Sequence, residues 1–199
     1  MNLSRKLRIW HRGEIYHITA RGNRKGKIYE EPGDYRKYLQ ILKETQAQHA
    51  YTLHGYCLMP NHVHLLIEMV EASPSQIMKT AHTRYAMYYN FRYDLVGHLF
   101  QGRFKSQVVY SKDYLLTVSR YIHQNPVKAG LVDHPEGYPW SSYNHFIDIP
   151  QLPPTTPKLT PLVSTNKILS FFPDSHEYQM FVESNDYEND IENGPLLVT

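Results

Sequence analysis

His62 and His64 stand on either side of one valine in MPNHVHLLIE (59–68). Side chains at i and i+2 of a strand share a face, so the two imidazoles point one way and Val63 the other. Two neutral imidazoles side by side make a pair of metal ligands. The same pattern also suits two hydrogen-bonded or surface histidines, and with 12 histidines in 199 residues a chance pair is not rare. A metal needs a third protein ligand. The single cysteine, Cys57, gives no cysteine-rich zinc set. RYIHQNPV (120–127) offers a different one. Tyr121 and Asn125 are four residues apart and therefore lie on one helical face. An amide oxygen is a hard donor suited to Mg²⁺ or Mn²⁺. Two histidines and Asn125 leave coordination positions open for a phosphate. A phenol one turn earlier is then a nucleophile, provided a metal polarises the group it attacks. Against this, the chain holds 17 tyrosines, so Tyr121 also suits packing, and Asn125 suits the end of a helix before proline.

These residues meet only if strands and a helix bring them together. EIYHITARGN (14–23) alternates, with Ile15, His17 and Thr19 on one face, and reads as a strand ending at Gly22-Asn23. Residues 33–49 carry Tyr35, Tyr38, Leu39, Leu42 and Thr45 at helical spacing. YTLHGYCLM (51–59) and HVHLLIEM (62–69) read as a hairpin around Pro60-Asn61. Residues 73–93 form a second helix, with Ser73 as N-cap and Pro74 in the first turn. KSQVVYS (105–111) is a fourth strand, with Tyr110 at its end reading as core. A third helix follows, capped by Ser111, with Asp113 in its first turn and a stop at Pro126. The order β-α-β-β-α-β-α is an α+β, ferredoxin-like (split βαβ) pattern with one added helix. Tyr114 lies seven residues before Tyr121, roughly on the same face. It sits near the helix start with Val118, not an amide, four residues on, so it is the weaker nucleophile.

The organisation predicted is a catalytic domain over 1–149, a proline-rich linker over 150–162 and a short helical extension with an acidic tail over 163–199. Prolines 150, 153, 154, 157 and 161 mark the linker. NKILSFF and HEYQMFVES read as short helices on either side of Pro173, and DYENDIENG as disordered. No apolar run approaches the roughly 20 residues of a membrane span. The basic opening MNLSRKLRIWHRGE lacks a signal peptide's apolar block, which with the single cysteine leads to the expectation of a cytoplasmic protein.

Charge is divided along the chain. Residues 1–130 hold 19 Lys and Arg against 9 Asp and Glu; residues 131–199 hold 2 against 10. In the first 28 residues Arg5, Lys6, Arg8, Arg12, Arg21, Arg24, Lys25 and Lys27 face one acid, Glu14. A basic body suits a polyanion; a solvated surface with a compensating acidic tail gives the same balance. The acidic stretch 183–192, folded over a basic site, would restrain it; a solvated tail is the plainer reading.

Together, MPNHVHLLIE, GHLFQGRFKSQVV, YLLTVSRYIHQNPVKAGLV, YPWSSY and the opening IWHRGEIYHITARGNRKGKIY resemble the single-tyrosine HUH transposases of bacterial insertion sequences, closest to the REP-associated tyrosine transposases. The resemblance spans roughly residues 8 to 145. It implies a ferredoxin-like domain with the histidines on a central strand, and a mobile-element enzyme that cleaves and rejoins single-stranded, hairpin-containing DNA. By that resemblance His62, His64 and Asn125 hold one divalent ion, where other members place Gln for Asn. Tyr121 attacks the scissile phosphate, forming a 5′-phosphotyrosine and a free 3′-OH. Insertion-sequence members act as dimers with the tyrosine helix reaching the partner's histidines, and longer REP-associated members are more monomer-like, so monomer and homodimer both stay open. Phosphate contacts fall to Arg5, Lys6, Arg8, Arg12, Arg21, Asn23, Arg24, Lys25 and Lys27, with Arg103 and Lys105. Trp10 and Tyr29 suit base stacking or packing. His54, on the strand beside the pair, suits a structural role, and Glu68 lies about 20 Å along the strand from His62, too far to share its ion. A catalytically idle relative that only binds structured DNA is the alternative. An RNA-binding domain of the RRM kind fits less well, because HVHLLIEM has no aromatic.

Overall fold

Pairing sets the site before any helix is added. β1 (Ile15–Arg21) lies between β3 (His62–Met69) and β4 (Lys105–Val109), and β2 (Tyr51–Met59) pairs the far side of β3. The order is β2-β3-β1-β4, antiparallel throughout. This is the ferredoxin-like sheet expected from the element order. The computed structural model describes residues 9–147 and 162–184. Arg5, Lys6 and Arg8, nearly all of the proline-rich linker, and the acidic tail beyond Ser184 lie outside the described residues.

The register puts chosen side chains in rows. Lys105, Thr19, His64 and Cys57 stand opposite one another across all four strands, and Arg21, His62 and Met59 form the next row towards the hairpin turn. His17, Leu66 and Gly55 form the row on the other side, with Gln107 beyond His17. Directly paired residues project to the same face, so one face carries His17, Thr19, His62 and His64. Val63, Leu65, Ile67, Ile18 and Ala20 take the other face and are buried. There they join the apolar sides of α1 (Pro32–Gln48) and α2 (Pro74–Arg92), including Tyr38, Leu42, Ile77 and Tyr85, in one core. Each fully buried aliphatic side chain there contributes about 1.5–3 kcal/mol. α2 starts as its sequence dictates: Ser73 accepts from the Gln76 backbone, the Gln76 side chain bonds back, and Pro74 opens the helix. Trp10 packs partly buried against the core, and Tyr29 is 1% exposed among Tyr35, Tyr38 and Tyr85, so both are packing residues.

α3 (Lys112–Lys128) packs on the histidine face of β2 and β3. Ser111 caps it, its hydroxyl accepting from the Tyr114 amide. Two expectations are corrected here. The helix does not stop at Pro126 but runs to Lys128. Proline this late forfeits little more than one backbone bond. The end is made instead by the Ala129 amide on the Asn125 carbonyl and by Gly130 at φ +65°. Tyr110 is not core. It is 71% exposed and stacks on Tyr114.

Beyond α3 the chain covers the outer edge of β2. Leu58 donates to the Trp140 carbonyl and Ser142 to that of Tyr56, while Val163 bridges Leu53 and Ser164 donates to the Leu53 carbonyl. This removes an edge that would otherwise template pairing. α4 (Asn166–Leu169) and α5 (Ser175–Glu183) fall on either side of Pro173, as expected. α5 packs on the outer side of α3. Tyr178, completely buried, holds both Ser119 and His123 of α3 at 2.7 Å through its hydroxyl. His123 continues to the Ser142 hydroxyl at 2.9 Å, which accepts from the Tyr56 amide of β2. His54 has the structural role expected: it bonds Glu68 at 2.8 Å, and Glu68 in turn holds Lys167 of α4. Glu68 is thus used far from the histidine pair.

Candidate active site

Two imidazoles on adjacent same-face positions come together with a phenol from α3. The rings of His62 and His64 lie 5.0 Å apart, and the Tyr121 ring meets His64 edge-on at 5.4 Å. His64 is 1% exposed and Tyr121 7%. Tyr121 and Asn125 share a face, and the Asn125 amide donates to the Tyr121 carbonyl at 2.7 Å. That donation uses the nitrogen and leaves the amide oxygen as an acceptor. Tyr114, the weaker candidate, has its hydroxyl buried without a partner among the described residues and its ring against Tyr110.

A residue that the sequence did not single out completes the cluster. His17 of β1, 4% exposed, brings its Nε2 to 3.0 Å from Nδ1 of His64 and its ring to 5.9 Å from Tyr121. Alternation already put His17 on one strand face with Thr19. The cross-strand register that sets it beside His64 is a tertiary property that alternation cannot supply.

Electrostatics keep the imidazoles neutral. Burial pushes His62 down to about 4, with the Arg21 charge adding to the effect. Burial also brings His17 to about 4 and takes His64 well below its ordinary value, with its neighbours His17 and His62 acting the same way. Neutral imidazole is the form that ligates metal. The phenol of Tyr121 is raised by burial, and a hydrogen bond from the Asn125 side chain partly opposes that. His64 Nε2 is buried and has no hydrogen-bond partner among the described residues. A buried polar atom left unpaired costs about 1–3 kcal/mol, so this atom fits a ligand that the protein chain does not supply. His62, with Nδ1 on the Asn61 side chain at 2.6 Å, makes no hydrogen bond through Nε2 among the described residues. Two unengaged Nε2 atoms are donors that suit a divalent cation; among the described residues no contact joins the Asn125 side chain to either histidine.

The histidines open onto a cavity of about 360 Å³ lined by Thr19, Ala20, Arg21, Lys25, Gln101, Arg103 and Lys105. Four of the basic residues expected at DNA, Arg21, Lys25, Arg103 and Lys105, are therefore gathered around the histidine pair. Thr19 and Gln101 were not foreseen. Asn23, Arg24 and Lys27 sit exposed in or beside the turn that carries Lys25, with Lys27 paired to Glu30 at 3.4 Å. Arg12 is exposed at the other end of β1, near Met69, about 20 Å along the sheet from His62.

That turn has little freedom. A Cβ on Gly22 would stand 2.0 Å from the Gly26 carbonyl oxygen and 2.9 Å from Ile28, so only glycine closes it. Arg24 and Lys25 adopt left-handed φ values of 53° and 61°, a cost of about 1–2 kcal/mol each for a residue with a side chain. Bonds to the hairpin turn offset it: Gly22 donates to the Asn61 carbonyl, Ile28 to that of Pro60, and the Asn61 side chain to that of Lys25.

Comparison with known proteins shows the family and the fold. Residues 12–125 match the family model described as Transposase IS200 like. A REP-associated tyrosine transposase of Haemophilus influenzae is 23% identical over 158 residues, covering 73% of this chain and 88% of that protein. The solved structure of a REP-associated tyrosine transposase bound to a REP hairpin superposes with a TM-score of 0.61 at 18% identity, covering 80% of this chain and 94% of that one. At that identity the likeness speaks for the fold. The family model spans more than half of the sequence, from the strand that brings His17 to the helix that brings Tyr121. The chain belongs to the IS200-like transposase family.

Proposed function

We propose that this transposase cleaves and rejoins single-stranded DNA at a hairpin, with Tyr121 as nucleophile and a 5′-phosphotyrosine as intermediate. The observation that carries the reading is the buried, unpartnered Nε2 of His64 against the Tyr121 ring, beside a cavity rimmed by four cations. A divalent ion, Mg²⁺ or Mn²⁺, held by His62, His64 and Asn125 would polarise the scissile phosphate and stabilise the leaving oxygen.

The chain's own residues do the rest. Arg21, Lys25, Arg103 and Lys105 neutralise the DNA backbone and hold the phosphate in the cavity. The Tyr121 oxygen bonds to phosphorus as the bond from phosphorus to the 3′ oxygen breaks. The phenol proton is lost and the departing 3′ oxygen gains one. The Asn125 side chain favours the deprotonated form of the phenol against the effect of burial. The new phosphodiester conserves the bond energy, so a 3′-OH reverses the step and joins strands without a nucleotide cofactor. The relative whose structure carries a REP hairpin supports a hairpin as this protein's partner. Histidines and tyrosine meet within one chain here, and α5 braces the tyrosine helix from behind, which supports a monomer that is complete for cleavage.

The test is the polarity of the products. With Mn²⁺ and a single-stranded hairpin substrate, the released fragment should carry a 3′-OH that a polymerase extends, while the protein stays on the 5′ phosphate. Products with free 5′ phosphates and no protein attached would mean that water, not tyrosine, attacks. Binding without cleavage on any hairpin would mean that the chain is a DNA-binding relative only.

A further inference from the structure

Each metal-facing histidine has its Nδ1 held by a different neighbour. His62 Nδ1 lies 2.6 Å from the Asn61 side-chain oxygen. That oxygen's place is fixed, because the Asn61 nitrogen donates to the Lys25 carbonyl at 3.2 Å. An amide oxygen only accepts, so His62 must carry its proton on Nδ1. His64 Nδ1 lies 3.0 Å from Nε2 of His17, inside a stacked pair of rings 5.3 Å apart at 17°. Here either nitrogen could donate. If His17 donated, His64 would carry its proton on Nε2, the atom that is buried with no acceptor. If His64 donates, Nε2 is a lone pair and that buried N–H is not left unpaired.

We propose that His17 and Asn61 are positioning residues that lock His64 and His62 in the Nδ1–H tautomer and so leave both Nε2 atoms as lone pairs free to ligate. Acceptors behind metal-bound histidines fix ring orientation and raise ligand basicity in this way. The two locks differ in what else they hold. Asn61 also ties the basic turn of Lys25 to His62, so a ligand and a phosphate-binding cation share one bracket. His17 spans from His64 to the Tyr121 ring, so its imidazole keeps the ligand and the nucleophile at a set separation.

The proposal rests on the reading of His62 and His64 as metal ligands, and the experiment separates the two. Long-range nitrogen–proton correlation NMR on metal-free, histidine-labelled full-length protein reads each tautomer directly. Both His62 and His64 should show the proton on Nδ1, and Asn61→Leu should release His62 to the Nε2–H form. Calorimetric titration with Mn²⁺ should show Asn61→Leu and His17→Phe binding about 10- to 100-fold more weakly. His17→Gln, which keeps an acceptor, should restore most of what His17→Phe loses. An Nε2–H tautomer in the wild type at either histidine overturns the proposal, as does unchanged Mn²⁺ affinity in both Asn61→Leu and His17→Phe. A wild type that shows Nδ1–H tautomers but binds no Mn²⁺ supports the locks and removes the metal reading instead.

Discussion

At the scale of single residues, burial sets the chemistry at the histidine pair. A surface histidine gains its proton near pH 6.5 and ceases to be a ligand. His62 is held down to about 4 by burial and by Arg21, and His64 lies well below its ordinary value. Both stay neutral as the pH falls through 6.5. Mn²⁺ affinity, followed by calorimetry, should therefore be nearly flat from pH 7.5 to about 5.5 and fall only towards 4. A loss that begins at 6.5 would mean that the histidines are ordinary. Backbone geometry gives a second prediction. Gly22→Ala forces a Cβ to 2.0 Å from the Gly26 oxygen, so the basic turn must open. Hairpin-DNA affinity should drop at least tenfold in a binding titration, with the circular dichroism spectrum unchanged. Wild-type affinity would show that the turn does not position Lys25.

At the scale of elements, α3 is held by two layers. Its inner side meets the histidine face of the sheet; its outer side is pinned by Tyr178 of α5, whose hydroxyl serves Ser119 and His123 together. Tyr178→Phe keeps the ring stacked on Phe146 and removes only that oxygen. It should cost about 1–3 kcal/mol, the penalty of buried polar groups left without a partner, read from chemical denaturation; a change below half a kcal/mol would mean that α5 does not brace the helix. Much of this architecture is legible in the sequence. The turn at Pro60-Asn61 between YTLHGYCLM and HVHLLIEM marks both strands of the hairpin end to end, and Ser73 and Ser111 mark the starts of two helices. Local rules misled at Pro126, where the rule for helix interiors weakens in a last turn, and at Tyr110, whose partner Tyr114 lies on the following helix. The site was half legible. Spacing within one element pairs His62 with His64 and Tyr121 with Asn125. His17, Thr19 and Gln101 reach the site only through register and a loop crossing, which no local pattern encodes.

At the scale of the whole molecule, acid should act on the fold and salt on DNA binding. His123 is completely buried with its pKa pushed to about 3, and His17 is nearly so at about 4. Each lies below its unfolded value near 6.5. As the pH falls through 6.5 the unfolded chain takes up protons that the folded chain refuses. Stability is thus present above 6.5 and lost towards 4, by roughly 1.4 kcal/mol per pH unit for each histidine. Denaturation midpoints measured between pH 7 and 4 should decline accordingly, and a midpoint constant down to pH 5 contradicts neutral burial. For DNA, each phosphate contact adds about 0.7 to the slope of log affinity against log salt on single strands. Lys105→Ala, at the cavity, should lower that slope by about 0.7. Lys79→Ala, exposed on α2 over the opposite face of the sheet, should not change it. Among the described residues no helix is long and apolar enough to cross a membrane.

The covalent step is the most direct point of test. Wild type and Tyr121→Phe are incubated with Mn²⁺ and a single-stranded hairpin substrate, separated on a denaturing gel, and any adduct is digested and mapped by mass spectrometry. Tyr121 as nucleophile predicts a protein–DNA adduct in the wild type, a nucleotide-bearing peptide that contains Tyr121, and no adduct in the variant. An adduct that survives Tyr121→Phe, or one that maps to Tyr114, would contradict it.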